Sequence, residues 1–572
     1  MRNWHGNLSP FGKWHTSSYG ALSAYAAYGF EPPLVLDFDE SYYRTDGTAT
    51  DLVSAATHTR ASSATYVDAN GILQTAAINE PRVGHHIWNG SAWVDAGYLH
   101  ESEARTNLFL SSDDLSNASY WSPLSGASTP VATSPIMGAS AWTLSGAGYL
   151  RQSGLSLAAS TANTVWFRMR LPSSPAAGKL RIRIYDNNSG TFITLANGST
   201  VSDFVYDTSG AVTRDTSAVD FLTDEGNGVY LVGAAFTTLA TVTTHLVFIY
   251  PDVSNNTQPV DVATPQLEEG STPSSYNPTA GATVTRAADV MTIPAANLPW
   301  PEPVVTEVTL AEDFSAYADQ AAAESVGYVF SSCVFDAANN EVDFSGVTAN
   351  LTISAVDGLT SGDVYRVTVA VANFVSGSMS FQDNFSTIGA VSSGGTFSFI
   401  TTNVGSTRFA TTNLVASITD IRVEKINPLA VSIQMEGTMT YADTGDLEAI
   451  HWRWYSDASN YLQGYVASTS GTGDSRFLSR VNGVSDVVTS SGSYYAPGIN
   501  VPFNIASRHG STFINGAVDG TALTANLTPT ALPYLENTDM QIGSTFNGTI
   551  KLVRVWADDL TDEGIEEGSS NV

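Results

Sequence analysis

Cysteine is nearly absent from this sequence. Cys333 stands alone among 572 residues, so no intrachain disulfide can form and the fold holds without staples. Lysine is almost as scarce, occurring only at Lys13, Lys179, Lys425 and Lys551, and charged residues make up just 14% of the chain. Basic residues number 24 against 55 acidic ones, a net charge of −31. Such a surface repels nucleic acid and anionic lipid, which argues against either as a partner. No apolar run is long enough to span a bilayer, so no membrane insertion is expected. The first residues lack an uninterrupted apolar core and scatter Trp4, Trp14, Tyr19, Tyr25 and Tyr28 among Gly and Ser. No secretory signal is read there, and synthesis in a cytoplasm is expected.

The signatures of catalysis are missing too. There is no HExxH, no Cys/His cluster, no GxSxG elbow and no phosphate loop. The His85-His86 pair reads as an exposed strand edge. Two acid spacings invite comparison with glycanases: Glu341-Val342-Asp343 lacks a further acid, and Asp443-Thr444-Gly445-Asp446-Leu447-Glu448 reads as a turn. Solvated carboxylates are the preferred interpretation, so catalytic residues: none, and no enzyme is expected. No cofactor is expected and no metal ligand is assigned. Asp186-Asn187-Asn188-Ser189-Gly190 and Asp336 to Asn340 offer oxygens that calcium uses, but the same residues are ordinary turn formers.

What the sequence holds in quantity is strand and turn. No helix-length period of 3.6 competes with segments such as KLRIRIYD (179–186), where Leu180, Ile182 and Ile184 face one way and Arg181 and Arg183 the other. An all-β chain of tandem antiparallel sandwiches follows, divided as an aromatic leader (1–32), a hairpin-rich junction (33–105), a jelly-roll-like sandwich (106–293), a stiff proline-rich linker (294–303), a second sandwich (304–427) and a last one (428–572). Ala69-Asn70-Gly71 and Asn89-Gly90-Ser91 mark hairpin turns, and Asn515-Gly516 fits a type I′ turn in FINGAVDG.

Binding chemistry has to be sought among aromatics and arginines. Trp452 and Trp454 share one strand face and Tyr455 takes the other. The two tryptophans fill the sandwich core in the preferred reading and stack on a sugar in the alternative, and Trp88 and Trp93 carry the same ambiguity, with hairpin packing preferred. Arg181 and Arg183 are the first place to look for an anionic glycan, against the plainer role of a solvated sheet face.

Three segments then fall into a pattern: THTRASSATYVDANGILQTAAINEPR (57–82), GYLHESEARTNLFLSSDDLSNASYW (97–121) and QLEEGSTPSSYNPTAGATVTRAADV (266–290). In that order and at that spacing they resemble bacteriophage fibre and spike proteins, tail fibre or head fibre. His100-Glu101-Ser102 departs from the family's apolar-acid-acid run. The resemblance implies carbohydrate-binding-like sandwiches at 106–293 and 304–427 and a concanavalin/laminin-G-like sandwich at 428–572. It also implies a virion surface protein, attached to another virion protein by residues 1–32, assembled as a homo-oligomer (usually a trimer) and adhering to a host surface glycan without covalent chemistry. A purely structural head fibre or decoration protein is the alternative, and a polysaccharide depolymerase a weaker one. The segment 97–121 itself is expected to make a junction in which Arg105, Thr106 and Asn107 hold the entering chain.

Overall fold

The computed structural model describes residues 32–570 apart from 216–219, 242, 255–257, 354–362, 384–385, 402–406, 443–447, 468–472 and 491–493. All of the leader 1–32 except its last residue therefore lies outside the described residues. So does Asp443 to Leu447. Among the described residues no helix is long and apolar enough to cross a membrane.

Antiparallel sandwiches in tandem make up the chain. The jelly roll pairs a sheet of strands Trp121–Leu124, Tyr149–Leu157, Thr243–Tyr250, Gly178–Asp186, Ser202–Tyr206 and Val212–Arg214 with one of Val131–Ile136, Ala139–Leu144, Val260–Glu269, Ala162–Arg170, Val229–Thr237 and Phe221–Asp224. The alternation in 179–186 works as read: Leu180, Ile182 and Ile184 are fully buried between the sheets with Phe167, Val232 and Val262. The next sandwich, over 305–426, is organised by two twenty-residue strands, Val364–Asp383 and Thr407–Ile426, which pair with each other.

The last sandwich is not confined to 428–572. In its first sheet Leu34–Asp37 pairs with Asn547–Trp556, placing Val35 opposite Arg554, and Tyr98–Glu101 pairs with the other end of the same strand. In its second sheet Val290–Ile293 lies between Thr57–Thr59 and Met540–Ile542. Leu34, Leu36, Met291 and Ile293 are fully buried in that core. The junction region and Val290–Ile293 thus supply strands to the far end of the chain, while Val67, Leu73 and Trp93 of the junction pack against the jelly roll instead. The remaining parts of the junction do form the hairpins Ala64–Val67 with Leu73–Ala76 and His86–Trp88 with Trp93–Asp95.

Two further expectations are corrected. The proline-rich stretch is no free spacer: Trp300 packs edge-on against Trp454 (5.4 Å) and Tyr534 (5.8 Å), and Asn297 Nδ2 donates to Ser54 O and Ala55 O. Asn515-Gly516 is not the turn; both lie inside strand Ile514–Val518, and the turn is Asp519-Gly520, with φ of 45° and 81°. Gly516 is there because a Cβ would meet the Phe477 ring at 1.9 Å.

The three segments of the fibre-like pattern converge in one buried ionic cluster. Arg82 Nη1 donates to Glu101 Oε2 at 2.6 Å and its Nη2 to Asp289; Arg60 Nη1 reaches Asp289 Oδ1 at 3.0 Å. Arg286 lies 3.2 Å from Glu101, which also accepts from Ser275 N (2.7 Å) and Oγ (2.6 Å). All of these side chains except Ser275 and Glu101 are completely shielded from solvent, and Glu101 is nearly so. Beside them Arg105 donates to Glu269 O, Thr106 Oγ1 meets Thr285 Oγ1 at 2.8 Å, and Asn107 Nδ2 donates to Asn277 O at 2.8 Å. Here the jelly roll, the hairpins and the last sandwich are tied together.

Candidate functional site

One outer face of the jelly roll is covered and the other is open to ligand. On the covered side Trp166, Leu231 and Tyr276 are buried against Leu73 of a hairpin and Ile499 of the last sandwich. On the open side the residues opposite Leu180, Ile182 and Ile184 form the surface: Arg181, Arg183 and Tyr185, each half-buried. The neighbouring strand places Tyr250 opposite Arg181 and Phe248 opposite Arg183, and the strand beyond places Arg151 opposite Phe248.

Five rings result on one face. Phe248 is ringed by Tyr149 (4.9 Å), Phe192 (5.7 Å), Tyr250 (6.4 Å, stacked) and Tyr185 (6.5 Å). The Arg183 guanidinium lies 3.2 Å from the Phe192 centroid and has no carboxylate partner among the described residues. Burial raises the Tyr250 hydroxyl pKa above its ordinary value, against the pull of Arg183. Arg181 differs: its Nε and Nη2 are held by Asp203 at 2.7 and 2.8 Å. Phe248 is itself buried, and Tyr149, Phe192 and Tyr185 stand edge-on to it, so a ligand meets the half-buried outer rings and the Arg183 guanidinium. These can touch the apolar side of a sugar while the hydroxyls and the guanidinium bond its hydroxyls or acids.

The other candidates are placed differently. Trp452 and Trp454 are 0% and 1% exposed in the core of the last sandwich, so they are corrected from sugar-stacking candidates to core residues; strand parity puts both on the inner face, beside Ile542 and Met540 of the neighbouring strand. Tyr455, on the opposite face, is 42% exposed. Trp88 and Trp93 meet edge-to-face at 5.9 Å, as hairpin packing requires, and Trp88 covers Gly226 of the jelly roll.

A cleft of about 140 Å³ lies where the hairpins, the jelly roll and the last sandwich meet, lined by His85, Trp88, Trp93, Arg168 and Glu225 among others. Its charges already satisfy one another, since Arg168 donates to both Glu225 oxygens at 2.7 and 2.9 Å. His85 is half-buried and not an exposed edge; burial, then Arg82, pushes its pKa down to about 3, and its Nδ1 accepts Val67 N–H. The Asp186 turn spends its carboxylate on Asn188 N and Ser189 N. Asp336, Glu341 and Asp343 bring oxygens within 4.8 Å of one another, and burial followed by Asp343 raises the Glu341 pKa. These could hold a hard cation such as calcium, though acid grouping alone defines no metal site.

Strand parity within 179–186 places Arg181 and Arg183 on the outer face but gives no warning that rings gather beside them. The signal was present in HLVFIYPD, where the parity that buries Val247 and Ile249 turns Phe248 and Tyr250 outward.

No family model matches the sequence, and no curated protein matches it. Among solved structures it is similar to the tandem CBM22 domains of Paenibacillus barcinonensis Xyn10C, at 9% identity and a TM-score of 0.20, over 56% of this chain and 97% of that one. It is similar to the CBM40 of the Ruminococcus gnavus IT-sialidase at 12% identity and 0.20, over 25% and 83%. It is also similar to domain 4 of AbnA, an arabinanase from Geobacillus stearothermophilus, at 10% identity and 0.19, over 46% and 100%. At such TM-scores these likenesses carry no weight on what this chain binds.

Proposed function

We propose that the chain is a surface fibre or spike protein of a bacteriophage, which adheres to its host by non-covalent glycan contacts on the open face of the jelly roll. The observation that carries the glycan part is the five-ring surface around Phe248, with Arg183 stacked at its edge. A solvated sheet face has no need to gather four half-buried rings about a buried Phe248, and rings so held offer contact area with little conformational entropy to lose. The fibre part rests on the three-segment resemblance, and virion attachment, homo-oligomer and virion location come with it. A single shallow face binds weakly, so presentation in several copies would supply avidity.

A purely structural appendage is the competing reading, favoured by the burial of the pattern's residues in a scaffold cluster. The deciding measurement is binding of the full chain to polysaccharide extracted from bacterial surfaces. Saturable binding is expected, weakened roughly tenfold, about 1–2 kcal/mol, in Tyr149→Ala or Tyr250→Ala with an unchanged melting temperature. Absence of binding, or equal binding by the folded variants, supports the appendage instead.

A further inference from the structure

The seven-stranded sheet of the last sandwich has an outer face of its own. Trp452, Trp454, Leu462, Val466 and Phe477 point inward and are buried. Alternation turns Arg453 and Tyr455, Tyr461 and Tyr465, and Arg476 and Arg480 outward on the adjacent strands Glu448–Asp457, Asn460–Ala467 and Asp474–Val481. Tyr461 lies opposite Tyr455 on one side and Arg480 on the other, and Tyr465 lies opposite Arg476. The Arg453 guanidinium sits 4.1 Å from the Tyr461 centroid and 5.5 Å from that of Tyr455; Arg480 is 5.9 Å from Tyr461.

These arginines are unlike most others in the molecule. Acids outnumber bases 55 to 24, and Arg82, Arg168, Arg181, Arg366 and Arg508 each have a carboxylate within 3 Å. Arg453, Arg476 and Arg480 have no carboxylate ion pair among the described residues. Their Nε atoms are shielded from water and without a hydrogen-bond partner there. Glu448, which accepts from Gln463 Nε2 at 3.1 Å, and Asp474 border the Arg476 end of the face. Three arginines left unmatched together, in a chain so rich in acids, are a surface complementary to an anion from outside.

We propose that this face is a second binding site, separate from the jelly-roll face, and that it takes an acidic polysaccharide. A guanidinium laid on a tyrosine ring is pre-oriented, and its terminal N–H pair can grip a carboxylate or sulfate in two-pronged fashion. Tyr455, exposed at the end of the face, offers a ring to the sugars themselves, whereas Tyr461 and Tyr465 are buried beneath the arginines and serve to hold them in place. Spacing sets the class of anion. Arg453 and Arg480 stand two strands apart, about 10 Å, and Arg476 and Arg480 four residues apart along one strand, about 13 Å. A nucleic acid strand carries a phosphate about every 3.4 Å, too dense for these positions and strongly repelled by the remaining surface. A glycan with one acid per repeat places its charges sparsely.

The test uses the full chain, with dextran sulfate and unsulfated dextran as probes and oligothymidylate as a third arm. Dextran sulfate is expected to bind and plain dextran to bind at least tenfold more weakly at this face. Raising salt from about 0.05 to about 0.5 M should weaken the sulfated probe. Arg453→Gln combined with Arg480→Gln should cost at least tenfold. Arg480→Lys, which keeps the charge but loses the flat fork, should cost severalfold. Because Arg453 and Arg480 lie outside the jelly roll, a loss in these variants separates this site from the jelly-roll face. The proposal is overturned if the native chain does not bind dextran sulfate, if folded arginine variants bind it equally, or if oligothymidylate binds more tightly.

Discussion

His451 lies between Phe503 and Phe546, ring centroids 4.5 and 5.5 Å away, with neither nitrogen hydrogen-bonded among the described residues. Burial pushes its pKa down to about 3, as it does for His509, and that of His100 to about 4. In the unfolded chain each titrates near its ordinary value of 6.5. Below that pH the unfolded state takes up protons that the folded state refuses, so stability is full above about pH 6.5 and falls as the solution is acidified. The slope approaches about 1.4 kcal/mol per pH unit for each such histidine. Glu101 acts in the same sense at lower pH: its pKa is about 2 in the folded chain against an ordinary 4.5, because Arg286 and Arg82 outweigh its burial, so its contribution is lost between those values. Denaturant titrations at a series of pH values should show this decline, and His451→Phe should flatten it by up to one proton; a flat profile would refute it. Within the ionic cluster, Asp289→Ala strands Arg60 and Arg82 in a dry interior, and a loss of about 3–5 kcal/mol is expected in equilibrium unfolding. The segments that build this cluster stood out in the sequence as a formula. That Arg60, Arg82 and Arg286 would be fully buried did not, because an arginine in a sequence reads as solvent-facing until its carboxylate partners are known.

At the scale of single elements, alternation was the most legible signal and also the most easily misapplied. It assigned both sides of 179–186 correctly, since one side was uniformly aliphatic. It could not assign sides in 448–457, where Trp452 and Trp454 on one face oppose Arg453 and Tyr455 on the other, and aromatics suit either environment. The core takes the tryptophans because Gly464 lies beneath Trp452, where a Cβ would come within 2.6 Å of the indole. The same device appears at Gly516, and it explains why Asn-Gly here is not a turn: a side chain in that strand would collide with Phe477, which is fully buried. Gly516→Ala is therefore expected to destabilise the last sandwich by about 1–3 kcal/mol through overpacking, read as a lower melting temperature. If the alanine variant melts at or above the native temperature, the close approach of Phe477 is not what keeps glycine there.

The whole molecule has a topology that no local pattern could reveal. The strand Leu34–Asp37 at the start of the described chain and Asn547–Trp556 near its end are neighbours in one sheet, so the jelly roll and the long-stranded sandwich are insertions between parts of the last sandwich. Loop-closure entropy permits this, since its cost rises only with the logarithm of the intervening length, but by the same fact sequence distance says nothing about such a pairing. Without residues 32–60 and 290–293, the last sandwich would lose Leu34, Leu36, Met291 and Ile293 from its core. Asn547–Trp556 would lose its Leu34–Asp37 neighbour, and Met540–Ile542 would lose Val290–Ile293. Unpaired apolar edges of that kind recruit other chains. A fragment of residues 428–572 is therefore expected to aggregate or to lack a cooperative thermal transition, whereas the same fragment fused through a flexible linker to 32–60 should recover strand content and solubility. Circular dichroism and sedimentation of the two proteins decide it. A monomeric 428–572 with a sharp transition would mean that the N-terminal strands decorate a complete sandwich, and the buried ionic cluster would then tie together two units that fold separately. Aggregation of that fragment, relieved by the fusion, would mean that strands from near both ends of the described chain complete one sandwich, and that the sheet carrying Arg453 and Arg480 rests on a core neither end can build alone.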